Sequence, residues 1–370
     1  QHQNFSSIFG MIAAHNREKF EVTCYSLTDF EDAYTGLYKK FAEHYEVVQD
    51  MTFEEIAKKI HDDKIDILID PAGHAEGNAL PVFAYKPAPV QISGIGYPST
   101  TGLDTMDYFV TDEIMNPSAE INSDVKLFTE KLLYMPVNLC YAQREDVPTP
   151  EYAPCTKRDY PVFGTLCSYY EINDDILKIW HKISEMVPKA VFLMRIKEFE
   201  SIQTINQLYE RMKAIGFNMD RILFRPATAN YMAEMTHLDV ILDVYPRSGC
   251  GSTLDALYMG VPVVSFFAER RSSRYGKTFL NAVGLSDLPT DSVAGYINRA
   301  VSLVTEVTAL DALHKGLRNM VKKALDLNPK NYMATIEQKF EEILNSTDIA
   351  VADDKVAENA EDTVDENSTD

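Results

Sequence analysis

Short unbroken apolar runs alternate along this chain with stretches whose apolar residues recur every three or four positions. The runs at 20–26, 66–70, 90–95 and 108–111 read as strands in the first half. In the second half the runs at 162–166, 191–195, 222–224, 240–244 and 261–266 read the same way. Several lack polar alternation, as strands covered on both faces do. Between them, 52–61, 174–186 and 204–215 read as helices, the last with Ile205, Leu208, Met212 and Ile215 on one face. Repeated strand–helix units predict an α/β protein whose parallel sheets carry helices on both faces.

The pattern breaks at 137–159, where Pro148, Pro150 and Pro154 stand among charges without periodicity. This stretch reads as a linker between a first lobe, 1–136, and a second, 160–345. Three helical patterns after residue 290 close the second lobe. The remainder, 346–370, is acidic and lacks aromatic residues, so it reads as a disordered tail. The first lobe opens on a helical pattern at 5–15, whereas a nucleotide-type lobe opens on a buried strand. That strand is expected upstream, and the absence of an initiator Met fits a fragment or a processed product.

Composition narrows the class. With 370 residues and 45% hydrophobic positions the chain can bury two cores. No apolar run approaches the length of a membrane-spanning helix, and the first residues lack the basic region of a signal peptide. The net charge of −21 argues against a nucleic-acid partner, which needs a basic footprint. Five cysteines without a CxxC pair read as reduced thiols in a cytoplasmic protein, and zinc is not expected.

The sharpest chemistry lies between Asp243 and Val264. A strand ends at Asp243, and a turn carrying Gly249 and Gly251 follows, both able to take positive φ. Ser252 and Thr253 are suited to cap a helix that Gly260 then stops. A helix start at the carboxyl end of a parallel strand is a ready phosphate site. The Gly-Lys-Ser/Thr ending of a P-loop is missing, so an ordinary strand–turn–helix explains these residues equally well. Asp255 reads either as an acceptor for sugar hydroxyls or as charge complementing the helix start.

A second segment runs from Lys86 to Tyr108. A strand leads into Gly96-Tyr-Pro-Ser-Thr-Thr-Gly102, a turn loaded with hydroxyls. Upstream, Asp70-Pro-Ala-Gly-His74 closes another strand. Both loops fall at strand carboxyl ends, where open α/β sheets place ligands. A lone His at a strand end is more often structural than catalytic, but Gly73 and the hydroxyl loop narrow that gap.

Taken in order, these motifs resemble the O-GlcNAc transferase/SPINDLY family: Asp70-x-x-Gly-His74, Lys86-Pro-Ala-Pro-x-Gln91, Gly96-Tyr-Pro-x-Thr-Thr-Gly102, Met106-Asp-Tyr108, Glu130-Lys-Leu132 and the Asp243–Val264 segment. The likeness spans about residues 2–345. It implies a GT-B type fold, two Rossmann-like lobes whose parallel sheets face a central cleft. It also implies transfer of a sugar, GlcNAc, from a UDP-sugar donor to Ser or Thr of a protein acceptor, with inversion and without a metal or other cofactor. Carried over residue by residue, His2 and His74 fall on active-site positions. Tyr97, Pro98, Thr100 and Thr101 line the first-lobe side. Gly249, Gly251, Ser252, Thr253, Asp255 and Arg274 fall on donor-binding positions.

One departure bears on catalysis. Where the family reads Phe-Asn-Gln-x-x-Lys, this chain reads Leu166-Cys-Ser-Tyr-Tyr-Glu171, and a second basic position becomes Ala229. A carboxylate beside a departing diphosphate is expected to weaken catalysis, unless Arg195, Lys197, Arg225, Arg247 or Arg274 compensates. The alternative reading is therefore a degenerate homologue that binds protein partners.

Overall fold

The computed structural model describes residues 5–118 and 127–346. His2 and the acidic residues after 346 lie outside the described residues. The chain divides into two compact units, one formed by Ile8–Leu139 with the residues from Pro329 on, the other by Cys140–Asn328 with the residues up to Ser7.

In the amino-terminal unit, β1 (Thr23–Ser26) pairs in parallel with β2 (His44–Val47). A second parallel sheet has the order β3 (Ile67–Ile69), β4 (Val90–Ser93), β5 (Tyr108–Thr111) and β6 (Lys131–Tyr134). All four residues of β4 are buried, which explains its unbroken apolar reading. The expected strand at 20–26 is shorter, because Phe20 leaves it to pack edge-on against Phe340, ring centres 6.2 Å apart. The helix Phe53–Asp62 starts at a capping box in which Thr52 and Glu55 satisfy each other's backbone N–H groups.

The carboxy-terminal unit is one six-stranded parallel sheet. Its strands are β7 (Val162–Thr165), β8 (Val191–Ile196), β9 (Ile222–Pro226), β10 (Val240–Leu242), β11 (Val263–Phe266) and β12 (Pro289–Thr290). They lie in the order β12-β11-β10-β7-β8-β9. Trp180, on the helix Asp174–Met186, is fully buried and donates Nε1–H to Tyr296 Oη at 3.2 Å. Tyr296 Oη donates in turn to the Asp243 carbonyl at 2.7 Å. The covering helices are thus bolted to the carboxyl end of β10, where the candidate turn begins.

The boundaries differ from the sequence reading in two places. The carboxyl end of the 137–159 stretch is tied to the six-stranded sheet. Cys155 N–H and Val162 N–H donate to the buried Asp239 carboxylate at 2.6 and 2.7 Å, and Arg158 pairs with it at 2.8 Å. The helix Pro329–Leu344, expected with the second lobe, belongs to the amino-terminal unit. Its Glu337 accepts from Asn16 N at 2.8 Å, and its Glu341 pairs with Lys19 at 2.7 Å.

Candidate active site

Both candidate loops are held by the same device. In the carboxy-terminal unit the buried Asp243 carboxylate accepts from Gly249 N–H at 2.8 Å, Val244 N–H at 3.0 Å and Ser265 Oγ on β11 at 2.7 Å. In the amino-terminal unit Asp70 follows β3 and accepts from Gly73 N–H at 2.9 Å, Ala72 N–H at 3.0 Å and Ser93 Oγ on β4 at 2.7 Å. Each aspartate closes a turn onto the neighbouring strand. Burial drives the Asp243 carboxyl up to about 7, although its three hydrogen bonds pull the other way.

The Asp243 turn delivers the helix Gly251–Tyr258. Gly249 and Gly251 do not use the left-handed region expected of them. Gly249 is required by space: a Cβ there would lie 2.8 Å from Ser252 Oγ and 3.0 Å from Thr253 Oγ1. Nor do Ser252 and Thr253 cap the helix. Cys250 occupies the cap without a side-chain bond, and Thr253 Oγ1 donates back to Gly249 O at 2.9 Å. The helix therefore starts one residue before Ser252, and its first N–H groups have no side-chain cap.

Asp255 is placed inward. It is 5% exposed and accepts from Tyr141 Oη at 2.8 Å and from Tyr231 Oη. Burial raises its carboxyl above the usual range against the pull of those hydroxyls. Both its oxygens serve the packing of the unit.

Around the turn stand several cations. Arg274 Nε donates to Ala268 O at 2.8 Å, and Lys277 Nζ lies 3.9 Å from the centre of the Phe267 ring. Burial, then the Arg274 charge, lowers the Lys277 ammonium below its ordinary value. Arg247 lies on the turn itself, and its guanidinium approaches Glu171 to 3.4 Å. Glu171 also accepts from Ser168 N–H at 2.8 Å. Of the other basic candidates, Arg195 is committed to Glu234 at 2.9 Å, and Arg225 donates to its neighbour Phe224 O at 2.8 Å. The sequence reading singled out neither Lys277 nor Tyr170, which is 84% exposed beside Glu171. Lys277 had no signal short of the fold.

In the amino-terminal unit Gly73 has φ +52°, and a Cβ there would fall 2.3 Å from Tyr97 Cβ. The turn thus needs glycine both for its backbone and for the packing of Tyr97. His74 is exposed, its ring meets Tyr97 edge-on at 5.7 Å, and Nε2 lies 2.9 Å from the Thr101 carbonyl. A carbonyl can only accept, so Nε2 carries hydrogen and Nδ1 of the neutral ring is the proton acceptor. Tyr97 and Pro98 are half-buried. Thr100 and Thr101 face the protein: their hydroxyls donate to the buried Glu130 carboxylate at 2.7 and 2.6 Å, and Thr101 N–H adds a bond of 2.7 Å. Lys86 and Gln91 are also architectural, gripping Asp107 and the Thr105 carbonyl.

Two units of parallel α/β sheet with loops gathered at strand carboxyl ends define a protein of the GT-B class. The chain belongs to glycosyl transferase family 41, whose sequence profile matches residues 3–146 and 156–336. It is 28% identical over 337 residues to the probable UDP-N-acetylglucosamine–peptide N-acetylglucosaminyltransferase SPINDLY of Solanum lycopersicum, covering 89% of this chain and 36% of that protein. With the probable transferase SEC of Arabidopsis thaliana it shares 32% identity, covering 84% of this chain and 32% of that one. The chain thus spans about a third of the length of these curated relatives. Among solved structures it superposes on a Thermobaculum terrenum O-GlcNAc transferase mutant with TM-score 0.86 and 28% identity, covering 93% of this chain and 65% of that one. Anabaena HepE in complex with UDP and glucose shares the fold, with TM-score 0.60 at 12% identity over 92% of this chain and 96% of that one. No described helix is long and apolar enough to cross a membrane.

Proposed function

We propose that this chain transfers GlcNAc from UDP-GlcNAc to Ser or Thr hydroxyls of a protein acceptor, with inversion at the anomeric carbon. The observation that carries the reading is the likeness along nearly the whole chain to the Thermobaculum terrenum O-GlcNAc transferase mutant. The local chemistry supports it. The Asp243-stapled turn offers an uncapped helix start to the donor phosphates, with Arg247, Arg274 and Lys277 as the surrounding cations. The acceptor oxygen attacks the sugar C1, the bond from C1 to the diphosphate breaks, and the acceptor proton passes to a base. His74 presents the tautomer such a base needs. No metal is required in this reading, because protein cations meet the charge on the departing UDP. Five free cysteines support a reducing, cytoplasmic setting.

The rival reading, a degenerate partner-binding homologue, rested on the carboxylate of Glu171. That charge is met by Arg247 at 3.4 Å, so it does not stand as an unopposed anion. The test is incubation of the chain with labelled UDP-GlcNAc and a serine-rich acceptor protein. Incorporation of GlcNAc in the β configuration is expected. Turnover of a different nucleotide sugar, with none of UDP-GlcNAc, would overturn the donor assignment.

A further inference from the structure

The turn after β10 is tied down at nearly every residue except one side chain. Tyr245 O accepts from Asn173 Nδ2 at 2.7 Å, and Pro246 O accepts from Ser272 Oγ at 3.3 Å. Ser248 N–H donates to Ser272 O at 2.9 Å, and Gly249 N–H donates to Asp243 at 2.8 Å. Between these anchors Arg247 projects with 57% of its side chain exposed and pairs with Glu171 at 3.4 Å. The two carboxylate oxygens of Glu171 divide the work. Oε2 holds Ser168 N–H at 2.8 Å and Ser168 Oγ at 3.2 Å, while Oε1 faces the guanidinium. Glu171 is itself fixed, with 22% of its side chain exposed. An anchored carboxylate beside an exposed arginine limits where that arginine can go.

We infer that Arg247 is the residue that meets the β-phosphate of the bound nucleoside diphosphate, and that Glu171 is a positioning residue that holds Arg247 for this purpose. This rests on the donor site proposed above. It reverses the role the sequence suggests for Glu171: the carboxylate contributes to diphosphate binding through the arginine it orients, instead of opposing it. A guanidinium suits this task, since its planar fork matches two phosphate oxygens at once. It also yields a sign that a simple repelling carboxylate cannot give. With Arg247 present, loss of Glu171 loosens a needed cation. With Arg247 absent, loss of Glu171 removes an uncompensated negative charge.

The experiment is isothermal titration of the full chain with UDP, UMP and uridine. It compares the parent with Arg247→Met, Arg247→Lys, Glu171→Gln and the double variant Arg247→Met/Glu171→Gln. Gln is chosen because its oxygen can keep the bond to Ser168 N–H, and circular dichroism with melting curves verifies that each variant folds. The expected results are tighter binding of UDP than UMP by the parent and loss of that preference in Arg247→Met, with UDP affinity down about tenfold or more. Arg247→Lys recovers part of the loss. Glu171→Gln weakens UDP severalfold in the parent background but strengthens it in the Arg247→Met background. Strengthening in both backgrounds, or an Arg247→Met variant that keeps the UDP preference, overturns the inference and leaves the donor site standing. A parent chain that binds neither UDP nor UMP overturns the proposed function, and this inference with it.

Discussion

Asp243, directly after β10, and Ser265, on the neighbouring β11, lie 2.7 Å apart, carboxylate to hydroxyl, and both are buried. The carboxyl is raised to about 7 by that burial. The unfolded chain ionises this group near 4 while the folded chain holds its proton to higher pH. Stability should therefore fall as pH rises from about 4 to 7 and level off above, with a slope of at most about 1.4 kcal/mol per pH unit. Asp243→Asn reproduces the protonated state, since its oxygen can accept from Gly249 and Val244 while its amide donates to Ser265. Melting curves between pH 5 and 8 should show the parent losing stability relative to Asp243→Asn as pH increases. Parallel pH profiles would show that Asp243 is ionised throughout.

The same pair sets the space for Gly276. A Cβ at that position would stand 2.1 Å from Ser265 Oγ and 3.2 Å from Asp243 Oδ2. Gly276→Ala should cost about 1–3 kcal/mol through overpacking, read as a drop in urea midpoint. Adding Ser265→Gly should recover part of the loss, since it removes the colliding atoms. If the double variant is no better than the sum of its parts, the clash is not the cause.

Glu130 anchors the hydroxyl loop of the other unit. Burial raises its carboxyl, but the bonds from Thr101 and Thr100 outweigh that and hold it below the usual range. Its contribution is present above the ordinary glutamate value and is lost as pH falls through the depressed one. Glu130→Gln should cost about 1–3 kcal/mol at neutral pH and less in acid. Hydrogen exchange at Thr101 N–H, which donates to this carboxylate at 2.7 Å, should quicken in the variant. Unchanged exchange would mean that the loop is held by its own turns.

Much of this was legible along the chain because it is local. Strands such as β4 and β7 are buried over their whole length and announce themselves as apolar runs. The glycines and hydroxyls of the two loops mark the strand carboxyl ends. What the sequence hid is long-range pairing. The Thr100 and Thr101 hydroxyls look free to meet a ligand until Glu130 is seen to take both. Asp255 reads as a binding carboxylate until Tyr141 and Tyr231 fill it. Strand β2, exposed at both ends and only half-buried between, carries too weak a pattern to stand out. The proline-bearing stretch at 137–159 reads as a linker because the residue that ties its carboxyl end, Asp239, is distant in sequence.

The donor site is best examined by titrating the intact chain with UDP, ADP and GDP and repeating the UDP titration on Ser252→Val. Ser252 lies in the first turn of the helix Gly251–Tyr258, and the substitution replaces its hydroxyl with a methyl-bearing chain of similar size. UDP should bind at one site per chain, more tightly than the other two nucleotides, and Ser252→Val should weaken it about fivefold or more without lowering the melting temperature. No measurable UDP binding, or equal affinity for parent and Ser252→Val, would contradict a donor site built on the Asp243 turn.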